Sequence, residues 1–144
     1  VTGSTGMETA EVIKKAAEIV KPDVVIIIDS LAARDIDRVS TTIQLTDTGI
    51  QPGSGMGNHR AGINEENIGV PVLAIGVPTV IDIKTILRDA LEENLDSAEA
   101  VEKYLSDYDR QMIVTSTDID ILVKDFSDII ADGINKTLHP GIYS

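Results

Sequence analysis

Apolar residues are arranged along this 144-residue chain in two ways, at helical spacing and in unbroken runs. Val12, Ile13, Ala16, Ala17, Ile19 and Val20 recur at helical spacing behind a Thr5-x-x-Glu8 capping box. They predict a helix that Lys21-Pro22 ends. Residues 24–28, VVIII, are apolar without interruption and all β-branched, as a central parallel strand covered on both faces requires. That run leads straight into Asp29, Ser30 and a small, helix-prone segment. Ile43 and Leu45 alternate with Thr42, Gln44 and Thr46, which predicts a short strand with one wet face. Residues 46–69 carry six glycines, one proline and no sustained period. A loop of that length is functional or disordered. A second apolar run, 70–77, predicts another buried strand, broken at Pro78-Thr79. Ile83, Ile86, Leu87, Ala90 and Leu91 predict a helix over 83–95, and residues 96–110 read as a charged, helix-compatible, solvated piece. Residues 112–115 predict a short strand. Thr117 or Asp118 then caps a long amphipathic helix with a stripe from Ile119 through Phe126 and Ile130 to Leu138, stopped by Pro140.

The order helix, strand, loop, strand, helix predicts an α/β fold with a parallel-rich sheet flanked by helices, in one domain over 1–144. Such sheets keep their ligands and chemistry beyond the carboxyl ends of the strands. Asp29 is expected at such an end, either as a catalytic carboxylate or as the N-cap of a following SLAARD turn. Asp82 follows the second apolar run and is a weaker candidate. Neighbouring strands would bring it to Asp29 as an acid–base pair, but the first-turn acid of the next helix is the favoured reading. Asp47 is a further weak candidate. The glycine loop offers Gly53, Ser54, Gly55, Gly57 and Asn58 as a substrate loop, since no Lys-Ser/Thr follows to make it a phosphate cradle. His59 and His139 are the two histidines, and with Asp47 they show no metal-ligand spacing, so no metal or cofactor is expected. Ser30 lacks the G-x-S-x-G setting of a nucleophile.

Composition narrows the class. The formal net charge of −12 disfavours nucleic acid and anionic membrane surfaces as partners. The absence of cysteine excludes disulfides and fits a reducing compartment. Aromatics make up 3%, so the core must be aliphatic. No apolar run approaches the roughly 20 residues that span a bilayer. A cytoplasmic protein is expected. The chain opens on Val1-Thr2-Gly3 without Met and reads as incomplete at its N-terminus.

Several stretches together carry a resemblance. VTGSTGMETAEVI, KPDVVIIIDSLAARDIDRVSTTIQLTDTGIQPGSGMGNHR, IGVPVLAIGVPTVID and MIVTSTDIDILVKDFSDIIADGIN resemble the germination (spore) protease of endospore-forming bacteria. The resemblance implies an atypical aspartic-type endopeptidase on a phosphorylase/hydrolase-like fold, akin to hydrogenase maturation proteases. It implies small acid-soluble spore proteins as substrate, a self-processing zymogen, a homotetramer and a place in the forespore or spore core. The Asp of the family's IDALAAR motif falls on Asp29 in IDSLAAR. Its catalytic partner belongs to a VTPDALGP-like motif upstream of the TG-x-TG segment, which this sequence does not contain. The stretch between the helix near residue 90 and MIVT is shorter than the family's, and Gln51 stands where GIHPGSG has His. Two other readings stand beside this one: a catalytically inert binding or assembly module on the same fold, and a metal-dependent maturation endopeptidase.

Overall fold

A computed structural model describes residues 8–52, 61–92, 98–107 and 112–143. Helix α1 (Thr9–Val20) leads into strand β1 (Val25–Ala33), a 3-10 turn (Ile36–Arg38) and strand β2 (Gln44–Thr46). Helix α2 (Glu65–Ile68), strand β3 (Val72–Asp82), helices α3 (Ile83–Glu92) and α4 (Ala98–Asp107), strand β4 (Ile113–Thr115) and helix α5 (Ile119–Leu138) follow.

Strand β3 is the axis of the sheet. It pairs in parallel with β1 along nearly its whole length. On its other side it pairs antiparallel with β2 over Ala74–Gly76, then with β4 over Val80–Asp82. The long pairing is therefore the parallel one, and the α/β architecture expected from the alternation of elements is the one observed. Among the described residues β1 is an edge strand.

Two apolar clusters cover the two faces. On one, Ala10 and Ala17 of α1 and Ile68 of α2 pack with Ile27, Val72 and Ile63. On the other, Ile130, Phe126 and Ile134 of α5 pack on Ile75, Val77 and Ile26. Val25 and Ile27 thus face one layer and Ile26 the other, which is why the run had to be apolar on both sides.

Four expectations are corrected. β1 does not stop at Asp29 but continues to Ala33, so no helix starts at Ser30 and the 3-10 turn begins only at Ile36. The nine-residue ladder with β3 outweighs the helical leaning of SLAA, as strand pairing commonly does with local propensity. β3 likewise runs through Pro78-Thr79. The register skips Thr79 between the pairs Leu31–Pro78 and Ala32–Val80, so a bulge absorbs the proline that cannot donate to the ladder. Pro78 is fully buried, and its carbonyl accepts the Ser40 N–H at 2.6 Å. β2 does not have the single wet face expected, because Leu45 is 67% exposed beside an exposed Gln44. Residues 46–69 also contain ordered structure. Ile50 and Ile63 form an antiparallel bridge, and Asn64 caps α2 by accepting the Asn67 N–H at 2.9 Å.

Ile63, 1% exposed, anchors this returning segment in the core. Glu8 stands at the N-cap of α1 without a side-chain cap bond. Its Oε2 instead accepts the Ala61 N–H at 3.1 Å. Thr5 of the expected capping box lies outside the described residues.

Candidate active site

Asp29 sits in the middle of β1, level with Gly76 of β3, which in turn is level with Gln44 of β2. Its carboxylate is held locally: Oδ1 accepts the backbone N–H of Ser30 at 2.9 Å. Asp29 is half-buried and, with its neighbours Ile28 and Ser30, lines a cavity of about 540 Å³ between the sheet and α5, while strand alternation puts its side chain on the face of Val25 and Ile27. Ile28, Val77, Phe126, Ile130 and Ile134 make most of the cavity wall apolar, and Ser30, Thr79, Ser127 and Asn135 add neutral polar groups. Burial pushes the Asp29 carboxyl above the ordinary aspartate value, and the Ser30 N–H offsets part of that rise by stabilising the charged form. A carboxyl raised by desolvation, in a cleft, is the combination that acid–base chemistry uses.

Among the described residues no second carboxylate lines this cavity. Asp82 lies six residues beyond Gly76 along β3, about 20 Å further at 3.3 Å per residue. There its Oδ1 accepts the Lys84 N–H at 2.7 Å and so caps the start of α3. Asp47 follows β2, which runs away from the Asp29 level toward Ala74, so it too points along the sheet to the other end. The structure brings neither to Asp29. Gly53, Ser54, Gly55, Gly57, Asn58 and His59 lie outside the described residues. Among the described residues no three His, Asp or Glu side chains converge on a point where an ion would sit. His139 ends α5.

The walls contributed by α5 escaped the reading of the sequence. Phe126, Ile130 and Ile134 belong to the stripe expected there, but the stripe serves both as core and as cavity wall.

A family model described as Germination protease matches residues 1–98. The chain belongs to the germination protease family. It is 45% identical to the "Germination protease" of Caldanaerobacter subterraneus subsp. tengcongensis over 165 aligned positions, covering 99% of this chain and 51% of that protein. Against the "Germination protease" of Clostridium perfringens strain 13 the identity is 43% with the same coverage. Against that of Bacillus pumilus it is 35% over 195 positions, 99% of this chain and 53% of the relative. The chain thus spans about half the length of the curated germination proteases it matches. The aligned positions exceed its 144 residues by at least 21 in the first case and 51 in the last, so these relatives carry insertions within the matched region.

Proposed function

We propose that this chain carries part of the active site of an endopeptidase that degrades small acid-soluble spore proteins during germination, with Asp29 as a catalytic carboxyl. One observation carries the assignment of Asp29: a half-buried carboxyl raised by burial, on a strand residue that borders an apolar cavity, in a chain of the germination protease family. The chemistry is aspartic in type. A charged carboxylate takes a proton from the attacking water, and a protonated one gives a proton to the leaving amine. Desolvation makes Asp29 the member that retains a proton at higher pH. Its partner comes from outside the described residues, in the VTPDALGP-like motif expected of such proteases. Approach of that second carboxylate, once charged, would raise the pKa of the retained proton further by repulsion.

The glycine segment with Gly53, Ser54, Gly55, Gly57 and Asn58 is proposed to hold an extended substrate. The protein is proposed to work in the spore core as a homotetramer. Apolar side chains left exposed on α1, Ile19 at 82% and Val20 at 73%, support association. Among the described residues no helix is long and apolar enough to cross a membrane.

The non-enzymatic reading keeps one specific support, the lack of a second carboxylate in the cavity among the described residues. Incubating the natural full-length protein with a purified small acid-soluble spore protein, and following products by intact mass, separates the two. Site-specific cleavage that the Asp29→Asn variant loses is the expected result. Absence of cleavage by the unaltered protein in its processed form would favour the binding module.

A further inference from the structure

Asp29, Gly76 and Gln44 form one row across three strands, because Gly76 is the register partner of both others. Partners in register share a face, so all three belong to the face of Val25 and Ile27. The apolar cluster under α1 takes its last β1 residue from Ile27. Further along the strands the sheet opens into a cleft of about 1070 Å³, whose lining includes Leu31 and Gln44.

The middle position of the row carries no side chain. A Cβ on Gly76 would collide with Leu31, whose side chain covers the glycine. Leu31 therefore makes an apolar floor between a carboxyl and an amide. Two strand spacings put the Cα atoms of Asp29 and Gln44 about 10 Å apart. Side chains raised from either side of such a gap leave room for one peptide group. The backbone of Gln44 is fixed by the ladder with β3, and its side chain is exposed. Among the described residues no hydrogen bond engages that amide. Arg34 and Arg38 follow the end of β1 and Arg88 is on α3, whereas Gln44 is level with Asp29.

Peptide hydrolysis leaves a role for such a group. As water attacks, the new C–O bond forms and the water proton passes to the charged carboxylate. The π pair of the carbonyl moves onto its oxygen. As the C–N bond breaks, its electron pair leaves on nitrogen, which takes the proton from Asp29, and the pair on oxygen re-forms C=O. Between the two steps the carbonyl oxygen is negative while both carboxyls hold protons. A neutral amide N–H donates to that oxygen without losing its proton.

We propose that the side-chain amide of Gln44 is a catalytic donor to the oxygen of the scissile carbonyl, across Gly76 from Asp29. This inference rests on the protease reading above and assigns the group that stabilises its intermediate.

The test is steady-state cleavage of a small acid-soluble spore protein by the natural full-length protein in its processed form, by Gln44→Ala and by Gln44→Glu. Removing one such donor predicts a kcat lower by about 10²–10³-fold, with KM little changed. Gln44→Glu keeps the size of the side chain but sets a charge against the developing oxyanion, and protonation makes it a donor again. Its kcat relative to that of Gln44→Ala should therefore rise as pH falls, which a merely structural role would not produce. A kcat for Gln44→Ala within a few-fold of the unaltered protein overturns the inference. A raised KM at unchanged kcat, or a ratio that is flat in pH, does the same. The protease reading survives those outcomes as long as Asp29→Asn loses cleavage. No cleavage by the unaltered protein removes that reading and this inference together.

Discussion

A Cβ on Gly76 would lie 2.9 Å from Cγ of Leu31, and closer still to Leu31 Cδ1. The two residues sit on the paired strands β3 and β1, within two positions of the Asp29–Gly76 level. Glycine is therefore required there so that Leu31 can lie across the ladder beside the candidate catalytic carboxyl. Gly76→Ala should cost about 1–3 kcal/mol, since Leu31 must leave its place in a packed layer. Urea unfolding would show it as a lower midpoint with an unchanged slope.

Gly49 is constrained by backbone and not by a side chain. Its φ is +84°, and an added Cβ would lie 2.7 Å from Cα of Asn64 and closer still to the carbonyl of Ile63. Neither neighbour can swing aside, because Ile50 and Ile63 exchange backbone hydrogen bonds of 2.9 and 2.7 Å. Gly49→Ala should destabilise the chain by about 2 kcal/mol or more, from the left-handed conformation together with the contact. Thermal unfolding would register a clear drop in Tm.

Asp82 and Asp29 should separate cleanly by substitution. Asp82→Ala removes the acceptor for the Lys84 N–H and should cost about 0.5–2 kcal/mol, while Asp82→Asn keeps a capping oxygen and should cost less. Cleavage of a spore protein should survive both. Loss of cleavage by folded Asp82→Asn would make Asp82 a working carboxyl.

Stability should carry the signature of Asp29. Burial raises its pKa in the folded chain, so folding favours the protonated form. That contribution is full below about pH 3.8, the ordinary aspartate value, and is lost as pH rises through the raised one. Asparagine does not titrate. The Tm of Asp29→Asn relative to the unaltered chain should therefore climb between about pH 3.8 and neutrality. A Tm difference that stays flat over that window would contradict the burial account.

Much of this architecture is legible in residue order, and the misses have physical causes. The run at 24–28 and the stripe of α5 announce their elements because burial on both faces, or on one, leaves few alternatives. The continuation of β1 through Asp29 to Ala33 is not legible, since its polar and small residues are held by the ladder with β3 and not by their own propensity. Pro78 looked like a stop because the bulge at Thr79 depends on a partner strand remote in sequence. Helix α2 was within reach, for Asn64 followed by Glu65 and Glu66 is a helix start. The cavity wall could not be read, because it needs α5 placed against β1.

The most direct measurement on the central claim is the steady-state cleavage of a small acid-soluble spore protein by the natural full-length protein and its Asp29→Asn variant, with kcat and KM resolved. Asparagine keeps the size of the side chain and an oxygen for the Ser30 N–H, but it can neither take nor give the proton. The account predicts a kcat lower by about 10²–10⁴-fold, with KM little changed. A kcat for folded Asp29→Asn within a few-fold of the unaltered protein would contradict it.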